Sequence, residues 1–155
     1  HKSDEELAEL FQPILRENGV ETTDYLAGKA AGIMKERATF ISDLWDLTSY
    51  FFVAPTAYEE KQTKKYWKGE NPARLKELRE VLASIEDFSK ENTEAVVGAW
   101  IAEKEYGMGQ IMNTLRLALV GAGKGPGTYD VTAFIGKEEC LKRIDYLLEN
   151  LKAAE

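Results

Sequence analysis

The chain of 155 residues has one cysteine, one histidine and four prolines, and no apolar run of membrane-spanning length. A lone cysteine, Cys140, can form no internal disulfide and no multi-cysteine metal site. It falls on the apolar stripe of the last predicted helix, which points to a buried structural thiol. The only histidine is His1, so neither a Ser-His-Asp nor a Cys-His arrangement can be assembled. The glycine-rich segment 121–127 (GAGKGPG) follows a helical pattern and lacks the Gly-Lys-Ser/Thr ending, which excludes a P-loop. Acidic pairs such as Glu59-Glu60 and Glu138-Glu139 suit helix surfaces and first turns. The predicted inward stripes are apolar and offer no carboxylate metal bundle. No metal, no cofactor and no catalytic residue is therefore expected, and this chain alone is not expected to be an enzyme. The N-terminus has no signal-peptide pattern, so a cytoplasmic protein with no membrane contact is expected.

A net charge of −7 argues against broad, sequence-blind nucleic-acid binding, which needs many neutralised phosphates. A local site remains compatible with it. Lys61, Lys64, Lys65 and Lys68 cluster around Tyr66 and Trp67, a composition that suits phosphate contact with base stacking. The other use of the same segment is a solvated helix whose two aromatics pack on the core.

What is abundant is helical periodicity. Ser3-Asp4-Glu5-Glu6 reads as a capping box opening a helix with Leu7, Leu10, Phe11 and Ile14 on one face. Pro13 predicts a kink or break in it. Asn18-Gly19 predicts its end. Thr22 or Thr23 caps a second helix through Tyr25, Leu26, Ala30, Ile33 and Met34 to Arg37. Phe40, Ile41, Leu44, Trp45 and Leu47 define a third, closing in Tyr50-Phe51-Phe52 before Pro55.

Residues 57–68 read as a polar helix. Asn71 as cap with Pro72 at the first helical position marks the next start. Three further stripes follow: Leu75, Leu78, Leu82 and Ile85; Val96, Val97, Trp100 and Ile101; and Ile111, Met112, Leu115 and Leu119. Cys140, Leu141, Ile144, Leu147, Leu148 and Leu151 stripe the last helix, preceded by Gly136. The expected fold is all-α, with two successive helical-bundle subdomains over residues 3–68 and 69–155.

Arg116 is the one arginine in an apolar helix that runs into the turn 121–127. A positioned guanidinium beside a bend with free amides and carbonyls suits a flat polar group such as a nucleobase. A plain structural corner between helices would use the same residues. Arg37 is a second arginine near a predicted helix end.

MGQIMNTLRLALVG, followed by GPGTYDVTAFIGKEECLKRIDYLL, resembles the C-terminal end of bacterial glutamyl-tRNA synthetases. MKERATFISDLWDLTSYFF and SDEELAELFQPILRENG resemble preceding segments of that family, in the same order. The likeness runs over about residues 3–151 and is most specific in the last 45 or so. It implies the α-helical anticodon-binding region of a class I synthetase. The HIGH-like and KMSKS-like motifs of the catalytic domain are absent here, so ATP and Mg would belong to the parent glutamate–tRNA ligase's catalytic domain, a partner on the same chain.

The resemblance further implies a glutamate-specific tRNA as partner, engaged through its anticodon loop by a monomer. Arg116 with Gly125, Pro126 and Thr128 would hold the first anticodon base. Arg37 would read the third, which is C in glutamate tRNA and G in glutamine tRNA. Lys61, Lys64, Lys65 and Trp67 would supply phosphate or stacking contacts. An ion pair of Arg37 with Glu36 or Asp43 is the competing structural use. The alternative for the whole chain is a helical protein-interaction module without nucleic-acid binding.

Overall fold

The computed structural model describes residues 3–37 and 43–152. Among them are nine α-helices and one short 3-10 helix, and no extended strand. The chain divides into two compact units, His1–Val53 and Ala54–Glu155. The boundary expected at 68/69 falls within the second unit. Phe40 and Ile41, expected on the third helix, lie outside the described residues.

In the first unit, α1 (Asp4–Glu17) opens on the predicted box. The Glu6 amide donates to the Ser3 Oγ at 3.2 Å, and the Ser3 amide to the Glu6 carboxylate at 3.4 Å. The helix closes at Asn18 with paired bonds, from the Gly19 amide to Arg16 O and from the Val20 amide to Leu15 O. Pro13 does not break it. Its ring faces solvent, where water can satisfy the Glu9 carbonyl that loses an amide partner.

Thr23 caps α2 (Asp24–Met34), and a 3-10 turn over Lys35–Arg37 follows. The buried face of α2 is not the large-residue stripe. Ala27, Gly28, Ala30, Ala31 and Met34 are inside, whereas Tyr25 is 73% exposed. The backbones approach so closely that a Cβ on Gly28 would sit 2.5 Å from the Asp4 carbonyl oxygen. Only a small-residue face allows that approach. Leu7, Phe11 and Leu15 fill the core with Leu44 of α3 (Asp43–Phe52), and Phe52 meets Phe11 edge to face at 6.5 Å.

The second unit holds α4 (Glu60–Tyr66), α5 (Asn71–Ala83), α6 (Lys90–Lys104), α7 (Met108–Val120), α8 (Thr128–Ile135) and α9 (Lys137–Asn150). Asn71 is not the cap of α5. Glu70 occupies that position, and the buried Asn71 carboxamide donates to Tyr66 O at 2.6 Å and to Gln110 Oε1 at 3.1 Å. Asn71 thus fastens the turn before α5 to α7.

Leu75, Leu78, Leu82 and Ile85 are buried as their spacing predicts, whereas Val96 and Trp100 of α6 are half-buried. Arg79 of α5 forks onto Asp145 of α9 at 2.6 and 2.9 Å, an arrangement that fixes orientation as well as charge. The Lys137 ammonium closes the turn that ends α5, donating to Ile85 O at 2.8 Å and to Ala83 O at 3.4 Å.

α7 is more than a stripe. Ile111, Thr114, Leu115, Leu117, Ala118, Leu119 and Val120 are all buried, so α4, α5, α6, α8 and α9 pack around it.

Gly28→Ala should destabilise the first unit by about 1–3 kcal/mol, because the added methyl collides with backbone that cannot yield as a side chain would. Denaturant unfolding of wild type and variant checks it. Equal midpoints would show that the helices have room to part.

Candidate nucleic-acid interface

The C-terminal end of α7 is held from several directions. Gly121, at φ +82°, closes the helix in the left-handed region that favours glycine. A Cβ there would also lie 2.8 Å from Ala57 O and 2.9 Å from Pro55 Cβ. The Gly121 carbonyl accepts the Glu59 amide at 2.7 Å, which ties the start of α4 to this corner.

One turn back in the helix, Arg116 is half-buried and donates from Nη1 to Lys124 O at 2.9 Å. The guanidinium therefore braces the turn it precedes. Pro126 and Thr128 are buried, Gly127 caps α8, and Gly125 sits at φ +108°. α8 is anchored by Lys90–Asp130 at 2.9 Å and by the Tyr129 hydroxyl donating to Met112 Sδ at 3.4 Å. Burial, with Glu94 nearby, pushes the Tyr129 phenol up to about 12, so it stays a neutral donor.

Beneath the corner lies Arg143, a residue that the sequence reading missed. It is 3% exposed, donating from Nη1 to Leu119 O at 2.8 Å and from Nε to Glu139 Oε2 at 2.7 Å. Leu119 O belongs to the last turn of α7, whose carbonyls lack helical partners. The signal was available: Arg143 stands three residues after Cys140 and four before Leu147, on the buried face. Neighbouring Cys140 is an inert thiol, its pKa raised by burial to about 12.

α4 carries the lysine cluster. At 100° per residue Lys61, Lys64, Lys65 and Lys68 would share one stripe, and all four are exposed. Lys64 pairs with Glu60 at 2.8 Å on the open surface, a contact of small energetic weight. Trp67 is not available for stacking on a base. It is 1% exposed, and its Nε1 donates to Leu151 O at 2.8 Å. Tyr66 is likewise buried, so both aromatics serve the core, as an amphipathic helix end favours.

The structure thus brings Arg116, Gly125, Pro126 and Thr128 together in one corner, with α4 packed against α7. Arg37 belongs to the first unit. It is exposed and ends the 3-10 turn after α2.

A family model described as an anticodon binding domain matches residues 6–148, and the chain belongs to that family. Its curated relatives include the glutamate–tRNA ligases of Phocaeicola vulgatus, 52% identical, and Flavobacterium psychrophilum, 46% identical. Each alignment covers 97% of this chain and 30% of the ligase. The chain therefore spans about a third of the length of these relatives. The crystal structure of a glutamate tRNA ligase from Elizabethkingia meningosepticum in complex with its amino acid superposes with a TM-score of 0.91. It is 41% identical, over 97% of this chain and 30% of that one. The glutamate-tRNA synthetase of Elizabethkingia anophelis gives 0.85 at 39% identity, over 96% and 29%.

Arg143→Ala should cost about 1–3 kcal/mol, since it strands the buried Leu119 carbonyl, while the Glu139 carboxylate, about a third exposed, can turn to water. Chemical denaturation measures the loss. A cost under about 1 kcal/mol, the scale of an exposed pair, would contradict the buried bracing role.

Proposed function

We propose that this chain is the anticodon-binding region of a glutamate–tRNA ligase. The parent enzyme, a cytoplasmic monomer, attaches glutamate to its tRNA with ATP and Mg in a catalytic domain elsewhere on the same polypeptide. The observation that carries this reading is likeness along the whole chain, 52% identity over 97% of it, to glutamate–tRNA ligases. A protein-interaction module is disfavoured by packing. The predicted stripes are largely consumed within the units, and the large apolar residues exposed among those described, Leu10, Tyr25, Val53, Met108 and Tyr146, are scattered along the chain.

Arg116 and the backbone of residues 125–128 hold the first anticodon base. A guanidinium can donate to one edge of an unstacked base while backbone groups of a turn meet another, and Arg116 is held at that turn by its bond to Lys124 O. Lys61, Lys64 and Lys65 contact phosphates. Arg116→Ala should weaken binding of a glutamate anticodon stem-loop by about 1–3 kcal/mol with little change in melting temperature. Titration by fluorescence anisotropy at low and moderate salt, with a melting curve alongside, checks both halves. A collapse in stability would make the arginine a purely structural brace.

Arg37 reads the third base. Cytosine's Watson–Crick edge offers adjacent acceptors, O2 and N3, that match the two-pronged donor face of arginine. Guanine presents N1–H and N2–H there, so a guanidinium would meet like partial charges and leave donors unpaired. In the full-length parent, Arg37→Gln should relax discrimination between glutamate and glutamine tRNA more than it slows charging of the correct one. Charging assays on both tRNAs decide it, and an unchanged ratio removes Arg37 from the site.

A further inference from the structure

One contact beside the turn is left unused by this reading. The Gln62 carboxamide of α4 lies against Gly123 so closely that a Cβ built there would be 2.6 Å from Cδ, 2.7 Å from Nε2 and 3.0 Å from Oε1. Gly123 adjoins Lys124, whose carbonyl accepts the Arg116 hydrogen bond. Guanidinium and carboxamide thus engage neighbouring residues of one turn.

Gln62 is half-buried, and its carboxamide makes no hydrogen bond to any described residue. In this it differs from Asn71, which spends its amide on Tyr66 O and Gln110 Oε1. A glutamine held by packing alone keeps one acceptor and two donors for something outside the protein. It also flanks the exposed lysine stripe, one residue after Lys61 and three before Lys65.

We propose that Gln62 is a specificity-determining residue: its carboxamide, seated on Gly123, pairs with the donor–acceptor edge of an unstacked loop base adjoining the base held at Arg116. The phosphodiester backbone then follows the exposed Lys61, Lys64 and Lys65 of α4. A carboxamide suits that edge because it donates and accepts side by side, whereas a guanidinium only donates. A methyl on Gly123 would enter the space that the carboxamide occupies, so the carboxamide would have to shift. This inference rests on the reading of residues 116–128 as the anticodon-loop site.

The test uses the 155-residue chain and a synthetic RNA stem-loop bearing the glutamate anticodon, with loop bases removed one at a time. Gln62→Ala should weaken the intact loop about 5- to 50-fold at an unchanged melting temperature, and should abolish sensitivity to one abasic position. Gly123→Ala displaces the carboxamide without backbone strain, since its φ is not positive. It should weaken binding similarly and add nothing to Gln62→Ala in the double variant. Wild-type affinity in Gln62→Ala, or a loss spread evenly over all loop positions, overturns the proposal while Arg116→Ala still weakens binding. No saturable binding by the wild-type chain, or no effect of Arg116→Ala, instead overturns the site reading and this inference with it.

Discussion

The bracing of the C-terminal end of α7 is the constraint on which the second unit depends. A helix whose C-terminal half is largely buried ends in carbonyls that no further helical turn can satisfy. Two contacts fasten that end, Arg143 donating to Leu119 O and the Glu59 amide to Gly121 O, and the exposed bond from Arg116 to Lys124 O spans the turn beyond it. Together they order the corner between α7 and α8.

The first unit solves a different problem. Its α1–α2 contact is built on close backbone approach at Gly28, with Phe11, Leu15 and Leu44 filling the space alongside. Arg37 stands at the end of the 3-10 turn that continues α2, so its position depends on that packing. Each unit thereby supplies one arginine placed by a helix end, and neither arginine belongs to a core.

The lysines of α4 and the buried Trp67 show how one segment divides its labour. Charged residues with i, i+3 and i+4 spacing stay in water, and the aromatics at the end of the helix pack inward. Composition alone cannot separate stacking aromatics from core aromatics, because both are flat and apolar. What distinguishes Trp67 is its indole N–H, which finds the carbonyl of Leu151, 84 positions along the chain.

Local chemistry settled much of this protein from its sequence. The Ser3 box, the Thr23 cap, the Gly19 ending and the stripes of α5 and α9 are decided within a few residues, so their spacing shows them. The sequence also marked Arg116 and the turn after it, an arginine in an apolar helix before a glycine-rich segment, although a plain structural corner would use the same residues. Tertiary structure decided the rest. It turned the small face of α2 inward and left Tyr25 in solvent, it moved Asn71 from cap to tie, and it buried Arg143. It also set Gln62 on Gly123. Each of these depends on what a distant segment places opposite the residue, a backbone oxygen, a carboxamide or a helix end, and a one-dimensional pattern carries no record of that neighbour.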